Sequence, residues 1–213
     1  HLHLADPAET TIRSAWPQPG TKSAKDMHNE GGRPFLFPGR IPGYEDVFPD
    51  VDRINPAYFQ YMDRKIDYLN ARGFVPFIEV ARRDASEAWK RFYDWPESYA
   101  RYIQYVWSRC QANNCILSPI HFDTGHRSIS SRDYNEPANM VFEKGVPAFG
   151  TLLSCNASGS SLANFGNSDQ AKWLSLHQIG NRRHHNCHWL LTEIYNESVP
   201  PRPALNGEPY YDT

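Results

Sequence analysis

The sequence predicts an α/β protein, a TIM-type (β/α) barrel that lacks its first and last units. Short apolar runs alternate with longer segments in which apolar residues recur every three or four positions, as strands and helices alternate in βαβ units. Polar side chains follow the apolar runs, as they follow the strands of a barrel. About six strands can be counted, whereas a complete barrel usually needs about 250 residues. We therefore expect residues 1–213 to form a single domain with an incomplete barrel or an open sheet.

The first part of the chain shows little periodicity. His1 to Leu4 has the character of a strand end, and Asp6-Pro7 stops it. Residues 8–50 are rich in proline and glycine and are expected to form a long loop or lid, because a loop this long in a compact domain is usually functional or disordered. Within it, residues 31–39 are predicted to be an ordered lid over one face of the sheet.

A helix and a strand follow this loop. Asn55 is a good N-cap, Pro56 suits the first helical position, and Gly73 is predicted to end the helix. Residues 74–80 then have the character of a buried strand, with Glu79 toward one end of the sheet. The apolar stripe of the helix consists of Ile54, Tyr58, Met62, Ile66 and Leu69.

The same alternation continues to the end of the chain. A second helix opens at residues 94–96 and carries an apolar stripe as far as Cys110. The elements predicted after it are a strand at 115–122, a short helix at 138–144, strands near 148–154 and 173–179, a helix at 184–195 and a closing strand at 204–205. This order favours a parallel sheet with helical crossovers.

Several polar residues stand after the predicted strands, namely Asp123, Asn156, Gln178 and Glu208. A barrel brings such residues together on one face, where the chemistry of the fold lies. Glu208 stands between a glycine and a proline, a position that suits a catalytic base or nucleophile. The alternative is a solvated side chain in an Asn-Gly turn.

A series of short motifs runs in order through most of residues 31–211. The motifs are Gly32-Arg33-Pro34-Phe35, Asp52-Arg53-Ile54-Asn55-Pro56-Ala57-Tyr58-Phe59, Asp63-Arg64-Lys65-Ile66, Gly73-Phe74-Val75-Pro76, Phe122-Asp123, Ser158-Gly159-Ser160-Ser161, Gln178-Ile179-Gly180 and Asn206-Gly207-Glu208-Pro209-Tyr210-Tyr211. Through them the chain resembles the apiosidase-like glycoside hydrolases, barrel proteins common in polysaccharide-degrading bacteria. The resemblance implies a hydrolase that cleaves a glycosidic bond in a plant or microbial polysaccharide by a retaining, two-carboxylate mechanism.

The resemblance also assigns roles to two carboxylates. Glu208 matches the family's nucleophile in its Gly-Glu-Pro motif, and Asp123 matches the acid/base after the fourth strand. Before Asp123 the chain has His121-Phe122 where the family has two glycines. Glu136 is the alternative acid/base, because its Asn-Glu-Pro setting resembles the acid/base motif of the related clan of retaining barrel glycosidases. An Asx turn is the ordinary structural alternative for Asp123.

The substrate would be held by polar side chains near the strand ends. We predict that His121, His126, Asn156 and Gln178 contact sugar hydroxyls, although ordinary loop polarity explains these residues equally well. Hydrolysis by two carboxylates requires neither a metal nor another cofactor, so none is expected.

Two other functions stay open on the sequence. One is a catalytically inactive carbohydrate-binding or structural protein on the same fold. The other is a metal-dependent enzyme, since His184 and His188 are four residues apart with Cys187 beside them. The glutamate that follows the first histidine of a metalloprotease helix is absent, which argues against the metal.

The charge and the apolar runs of the sequence indicate which classes of binding partner are expected. The net charge is −2 and no long block of like charges occurs, which argues against nucleic acid and against a polybasic membrane surface. No apolar run approaches the roughly 20 residues that span a bilayer. We expect a carbohydrate partner and, with the resemblance, an extracellular or periplasmic location.

The cysteines bear on whether the protein contains zinc or disulfides, and the first residue bears on whether the chain was processed. Cys110, Cys115, Cys155 and Cys187 show no C-x-x-C pattern, so a structural zinc cluster is not expected, and their even number permits disulfides. The chain begins at His1 without an initiator methionine and looks processed or cut from a longer protein. Because an open barrel exposes sheet edges, we expect an oligomer or further chain segments to cover them.

Overall fold

The fold was obtained as a computed structural model, which describes residues 2–3, 29–36, 38–40, 42, 50–81, 89–90, 93–122, 129–143, 148–180 and 187–207. The strands are β1 (Leu2–His3), β2 (Phe35–Leu36), β3 (Asp50–Ile54), β4 (Phe77–Glu79), β5 (Ile116–Ser118), β6 (Leu152–Leu153), β7 (Gly159–Ser160), β8 (His177–Gly180) and β9 (Ala204–Asn206). The helices are α1 (Pro56–Asn70), α2 (Glu97–Cys110), α3 (Asn135–Phe142), α4 (Ser161–Phe165) and α5 (His188–Glu197), with 3-10 turns at Ser131–Tyr134 and Ala148–Gly150.

Most of the strands run in parallel. Strands β1, β4, β5 and β6 pair in that order, each parallel to its neighbour. Strands β8 and β9 also pair in parallel, and β7 lies antiparallel on the other side of β8. Strands β2 and β3 form a separate antiparallel pair. The α/β class with a parallel sheet is therefore confirmed.

Single bridges connect the two parallel groups. Phe122 bridges Ala157 and Ser158 bridges Gly180, both in parallel orientation. The ends of β4, β5, β6, β8 and β9 consequently lie on one side, which we call the carboxyl edge and define as residues 79–81, 118–122, 154–158, 178–180 and 206–207. Within the described residues the strands form no closed sheet, and what the structure establishes is a mainly parallel array of strands.

The segment before β2 is tied to the first turn of α1. The Asn55 side chain caps α1 by accepting a backbone N–H of that turn at 3.1 Å, and its amide nitrogen donates to the carbonyls of Gly31 and Arg33 at 3.0 and 2.7 Å. The Asn29 side chain donates to the carbonyl of Tyr58 at 3.0 Å. Two asparagine side chains thus connect the segment before β2 to the first turn of α1 by hydrogen bonds.

Helix α2 is joined to the sheet by two buried tyrosines. The Tyr99 hydroxyl donates to the Pro119 carbonyl at 2.6 Å, and the Tyr102 hydroxyl donates to the Val80 carbonyl at 2.8 Å. Burial raises the pKa of both phenols well above its usual value, so both remain protonated donors. Because Val80 and Pro119 follow β4 and β5, these bonds fix α2 against the carboxyl edge.

The core between α1, α2 and the sheet is rich in aromatic rings. Phe35 packs edge-on against Trp89 and Tyr102, with ring centroids 5.8 and 5.3 Å apart, and Trp89 stacks on Tyr102 at 5.3 Å. Phe35 is 1% exposed. This one ring, from the segment predicted as a lid, therefore belongs to the core, and the remainder of 8–50 lies largely outside the described residues.

Several element boundaries differ from the sequence predictions. Strand β8 begins at His177 rather than 173, because Trp173 turns inward to donate its indole N–H to Asn135 at 2.9 Å. Helix α3 begins at Asn135 rather than 138, since its first turn continues directly from a 3-10 turn. Strand β4 begins only after Pro76, which has no N–H for the ladder.

Two expectations drawn from composition can also be compared with the structure. All four cysteines lie among the described residues, and no disulfide joins them. No helix in the described part of the chain is both long and apolar enough to cross a membrane.

Candidate functional site

The two predicted catalytic carboxylates, Asp123 and Glu208, lie outside the described residues, as does His126. The residue before each carboxylate is described. The N–H of Phe122 donates to the carbonyl of Asn156 at 2.9 Å, and the N–H of Gly207 donates to the carbonyl of Ile179 at 3.1 Å. Both chain positions that lead into the predicted carboxylates are therefore held by backbone hydrogen bonds at the carboxyl edge.

His121 lies at this edge and is paired with a glutamate. Its Nδ1 is 2.7 Å from Oε1 of Glu79, the last residue of β4. His121 is 5% exposed and Glu79 is fully buried. The sequence predicts His121 as a substrate contact but assigns Glu79 no role. A charged residue ending an apolar strand is the sequence signal that could have identified it.

Asn156 and Gly180 fit closely against each other. Asn156 is fully buried, and a Cβ on Gly180 would stand 1.9 Å from its Oδ1 and 2.7 Å from the carbonyl oxygen of Ala157. Glycine is therefore required at 180 by the approach of the Asn156 side chain and the neighbouring backbone. The structure places Asn156 at the carboxyl edge, and its predicted contact with sugar stays a prediction.

Gln178 lies against the end of β9. A Cβ on Gly207 would stand 2.0 Å from Nε2 of Gln178, so the side-chain amide fills the space beside the residue that precedes Glu208. Its Oε1 is 3.4 Å from the hydroxyl of Ser154, and Nε2 is buried without a hydrogen-bond partner among the described residues. The amide is thus a donor held next to the β9 end.

A cavity of about 440 Å³ borders the same strand end. On one side it is lined by Phe77 and Ile116, the first residues of β4 and β5, and so by the amino ends of these strands. On the other side it is lined by Gln178, Leu205 and Gly207. The chain position that leads into Glu208 therefore adjoins open volume, not packed core.

Glu136, the alternative acid/base, lies on the surface of the protein. It is exposed in the first turn of α3 and lines an open groove with Arg132, Asn139, Glu143 and Gln170. None of the described residues that line this groove belongs to the carboxyl edge. Glu136 therefore shares no lining residue of this groove with the carboxyl edge, and its role as the alternative acid/base stays a prediction.

The predicted histidine–cysteine cluster is only partly described, because His184 lies outside the described residues. His188 is the exposed first residue of α5. The Sγ of Cys187 accepts a hydrogen bond from the amide of Asn206 at 3.3 Å. Over the described ranges, no group of three or more metal-binding side chains occurs.

A second buried histidine, His177, lies on β8 directly before Gln178. Its Nδ1 is 3.0 Å from the hydroxyl of Ser161, which also accepts the N–H of Gln178 at 2.9 Å. Burial, assisted by the positive charge of Arg202, lowers the pKa of His177 to about 4. The imidazole is therefore neutral in the folded protein at neutral pH.

We expect His177 to make the protein sensitive to acid. At pH values between the unfolded pKa of about 6.5 and the folded pKa of about 4, His177 binds a proton in the unfolded chain but not in the folded chain. The free energy of unfolding therefore falls as the pH falls through this window, by a total of about 3 kcal/mol. Urea unfolding between pH 7 and pH 4 measures the slope.

The matched variants are His177→Gln and His188→Gln. The first removes the buried titrating group and should flatten the pH dependence of unfolding, whereas the second removes an exposed imidazole and should leave the dependence as in the wild type. Equal slopes for the wild type and His177→Gln would show that the acid sensitivity has another origin.

Parallel strands with polar side chains gathered at their carboxyl ends define an α/β protein whose site is built from strand ends. The sequence model of the family described as "Apiosidase-like, catalytic domain" matches residues 22–213. The chain therefore belongs to the apiosidase-like catalytic domain family. No curated protein matches it.

Solved structures with a similar fold are glycoside hydrolases by description. One is a glycoside hydrolase family 5 protein from Bacteroides vulgatus, 18% identical, with a TM-score of 0.55 over 80% of this chain and 38% of that one. Another, from the same species and provisionally described as a glycoside hydrolase, is 18% identical, with a TM-score of 0.59 over 89% of this chain and 36% of that one. The chain thus spans less than two fifths of the length of either relative.

Proposed function

We propose that the chain is the catalytic part of a retaining glycoside hydrolase that acts on a plant or microbial polysaccharide. Glu208 is the nucleophile and Asp123 the acid/base, with His121, His126, Asn156 and Gln178 around the sugar. The observation that carries the proposal is the family match over residues 22–213, a range that includes both carboxylates. The backbone bonds of Phe122 and Gly207 at the carboxyl edge support it.

The chemistry follows from the two carboxylates. Asp123, protonated, donates its proton to the leaving glycosidic oxygen while the ionised Glu208 attacks the anomeric carbon, which forms a covalent glycosyl-enzyme. Asp123, now ionised, takes a proton from a water molecule that attacks the same carbon and releases Glu208. Two inversions at one carbon give net retention. Neither step needs a cofactor.

The wider setting is proposed on the same basis. The parallel array is part of a (β/α) barrel, as the likeness to the two Bacteroides vulgatus structures supports. The protein acts outside the cytoplasm, in the extracellular space or the periplasm, where it encounters its polysaccharide substrate. Further chain segments or a second copy cover the sheet edge beyond β9, where no described strand pairs with its outer side.

The test is a hydrolysis assay with the product anomer identified. The full-length protein is incubated with aryl glycosides and pectic oligosaccharides, and proton NMR follows the configuration of the first sugar released. Retention is expected. First-formed product of inverted configuration would refute the retaining mechanism, and sugar binding without any hydrolysis would favour the alternative of an inactive carbohydrate-binding protein.

A further inference from the structure

The pair formed by Glu79 and His121 is the most deeply buried pair of ionisable groups described at the carboxyl edge. The Glu79 side chain is 0% exposed and that of His121 is 7% exposed, with Oε1 and Nδ1 separated by 2.7 Å. Such a distance is that of a strong, charge-assisted hydrogen bond. The pair links the ends of β4 and β5.

A carboxylate at this position is costly. The residues on either side of Glu79, Ile78 and Val80, are both fully buried, and transfer of a charge out of water costs several kcal/mol unless partners compensate it. A leucine of similar volume would fill the same space without that cost. A role in holding the imidazole gives a reason for a carboxylate at 79.

The backbone of His121 is held as firmly as its ring. The His121 N–H donates to the Ala81 carbonyl at 2.8 Å, and the next N–H, of Phe122, donates to the Asn156 carbonyl at 2.9 Å. With both backbone and Nδ1 fixed, the imidazole has one orientation. The chain reaches Asp123 two residues after this fixed ring.

We propose that Glu79 is a positioning residue: it holds the proton on Nδ1 of His121 and thereby assigns Nε2 to a hydroxyl of the bound sugar. The imidazole is the member of the pair that a ligand can reach, because it retains exposure that Glu79 lacks. The sugar part of this inference rests on the proposed function. The Glu79–His121 part does not.

Glu79 is proposed to act on His121 as carboxylates act on the histidines that they orient in other proteins. A carboxylate that accepts the Nδ1 proton fixes the tautomer and ring orientation. Nε2 then forms the hydrogen bond that discriminates the substrate, and a hydroxyl of wrong configuration leaves it unmatched. Glu79 thereby acts on the sugar through His121.

The tautomer is tested without any substrate. Long-range nitrogen–proton NMR spectra of nitrogen-15 histidine-labelled full-length protein assign His121 by loss of its signals in His121→Asn. We expect a protonated Nδ1 in the wild type and in Glu79→Gln, whose carbonyl still accepts the bond, and loss of this preference in Glu79→Leu. His188→Gln, which removes an exposed imidazole at the start of α5, should leave the His121 signals unchanged. An unprotonated Nδ1 in the wild type overturns the proposal.

Kinetics test the consequence for the sugar. Glu79→Leu should lower kcat/KM about tenfold, the value of one hydrogen bond to the substrate, and Glu79→Gln should restore most of it. On a His121→Asn background, Glu79→Leu should lower kcat/KM no further, because the two residues act as one unit. Losses that multiply in the double variant overturn the proposal, as does a Glu79→Gln variant no better than Glu79→Leu.

The two claims fail separately. If the protein hydrolyses no glycoside, the proposed function fails while the NMR result still decides whether Glu79 fixes His121. If hydrolysis is found but the tautomer or the double variant behaves otherwise than expected, only the role of Glu79 fails. Urea unfolding of each variant ensures that the comparison is made between folded proteins.

Discussion

Glu208→Gln should abolish hydrolysis while the protein stays folded. Glutamine keeps the size of the side chain but is a poor nucleophile, so the covalent step is lost and we expect a decrease in kcat on the order of 10³-fold or more. The measurement is the rate on aryl and pectic glycosides, with urea unfolding as the check on folding. Unchanged hydrolysis in Glu208→Gln would mean that Glu208 is not the nucleophile.

The dependence of the rate on the leaving group distinguishes the acid/base from the nucleophile. Asp123→Asn removes the proton donor of the first step, so the loss in kcat/KM should be large for poor leaving groups and small for activated aryl groups that depart without protonation. Glu136→Gln is the matched control, because Glu136 is exposed in the first turn of α3 and lines a groove with no described residue of the carboxyl edge. The reverse outcome, with Glu136→Gln impaired and Asp123→Asn active, would transfer the acid/base role to Glu136.

Small anions give an independent readout of the two roles. Azide can enter the space left by Glu208→Ala and attack the sugar directly, which yields a glycosyl azide of inverted configuration. In Asp123→Ala the glycosyl-enzyme still forms from an activated substrate, so azide should yield the retained configuration. Opposite configurations for the two variants would distinguish nucleophile from acid/base on one substrate.

Gly31→Ala should strongly destabilise the fold. A Cβ at 31 would stand 2.2 Å from the carbonyl oxygen of Ala57 and 2.6 Å from the backbone nitrogen of Tyr58. These atoms belong to the first turn of α1 and cannot rotate away, so the segment or the helix must shift. We expect a loss of about 3 kcal/mol in the free energy of unfolding, measured by urea unfolding.

The control is Gly73→Ala. Gly73 has a φ of +79°, but a Cβ added there would meet no atom within 4 Å beyond its neighbours in the chain. The substitution therefore costs only the backbone strain of about 1 kcal/mol. If Gly31→Ala were no more destabilising than Gly73→Ala, the segment before β2 would not be seated on α1 in solution.

Local signals in the sequence predicted the helices well. Asn55 and Pro56 predict the start of α1, and the structure confirms both, with the Asn55 side chain as the cap. The stripe of apolar residues on α1 points into the core through Tyr58, Met62 and Ile66. Such signals depend only on neighbours along the chain, which is why they can be recognised without the fold.

Strand ends were harder to place from sequence. The buried run at 173–179 predicts one strand, yet only residues from His177 onward form β8. Trp173 is not part of the strand, and its indole N–H donates a hydrogen bond to Asn135 on α3. A hydrogen bond between residues so far apart in the chain has no local signal in the sequence. The role of Gly31 is similar, since only its approach to α1 excludes a side chain there.

The sequence by itself determined the α/β class, the family and the set of polar residues that follow the strands, because periodicity, turn residues and motif order are written along the chain. Only the tertiary structure decided which of those residues meet. It joined Glu79 to His121 across two strands, seated Gln178 against Gly207 and placed Glu136 in a groove that no described residue of the carboxyl edge lines. The physical reason is that strand pairing brings together side chains that are far apart in the chain, and pairing is decided by the packing of the whole core.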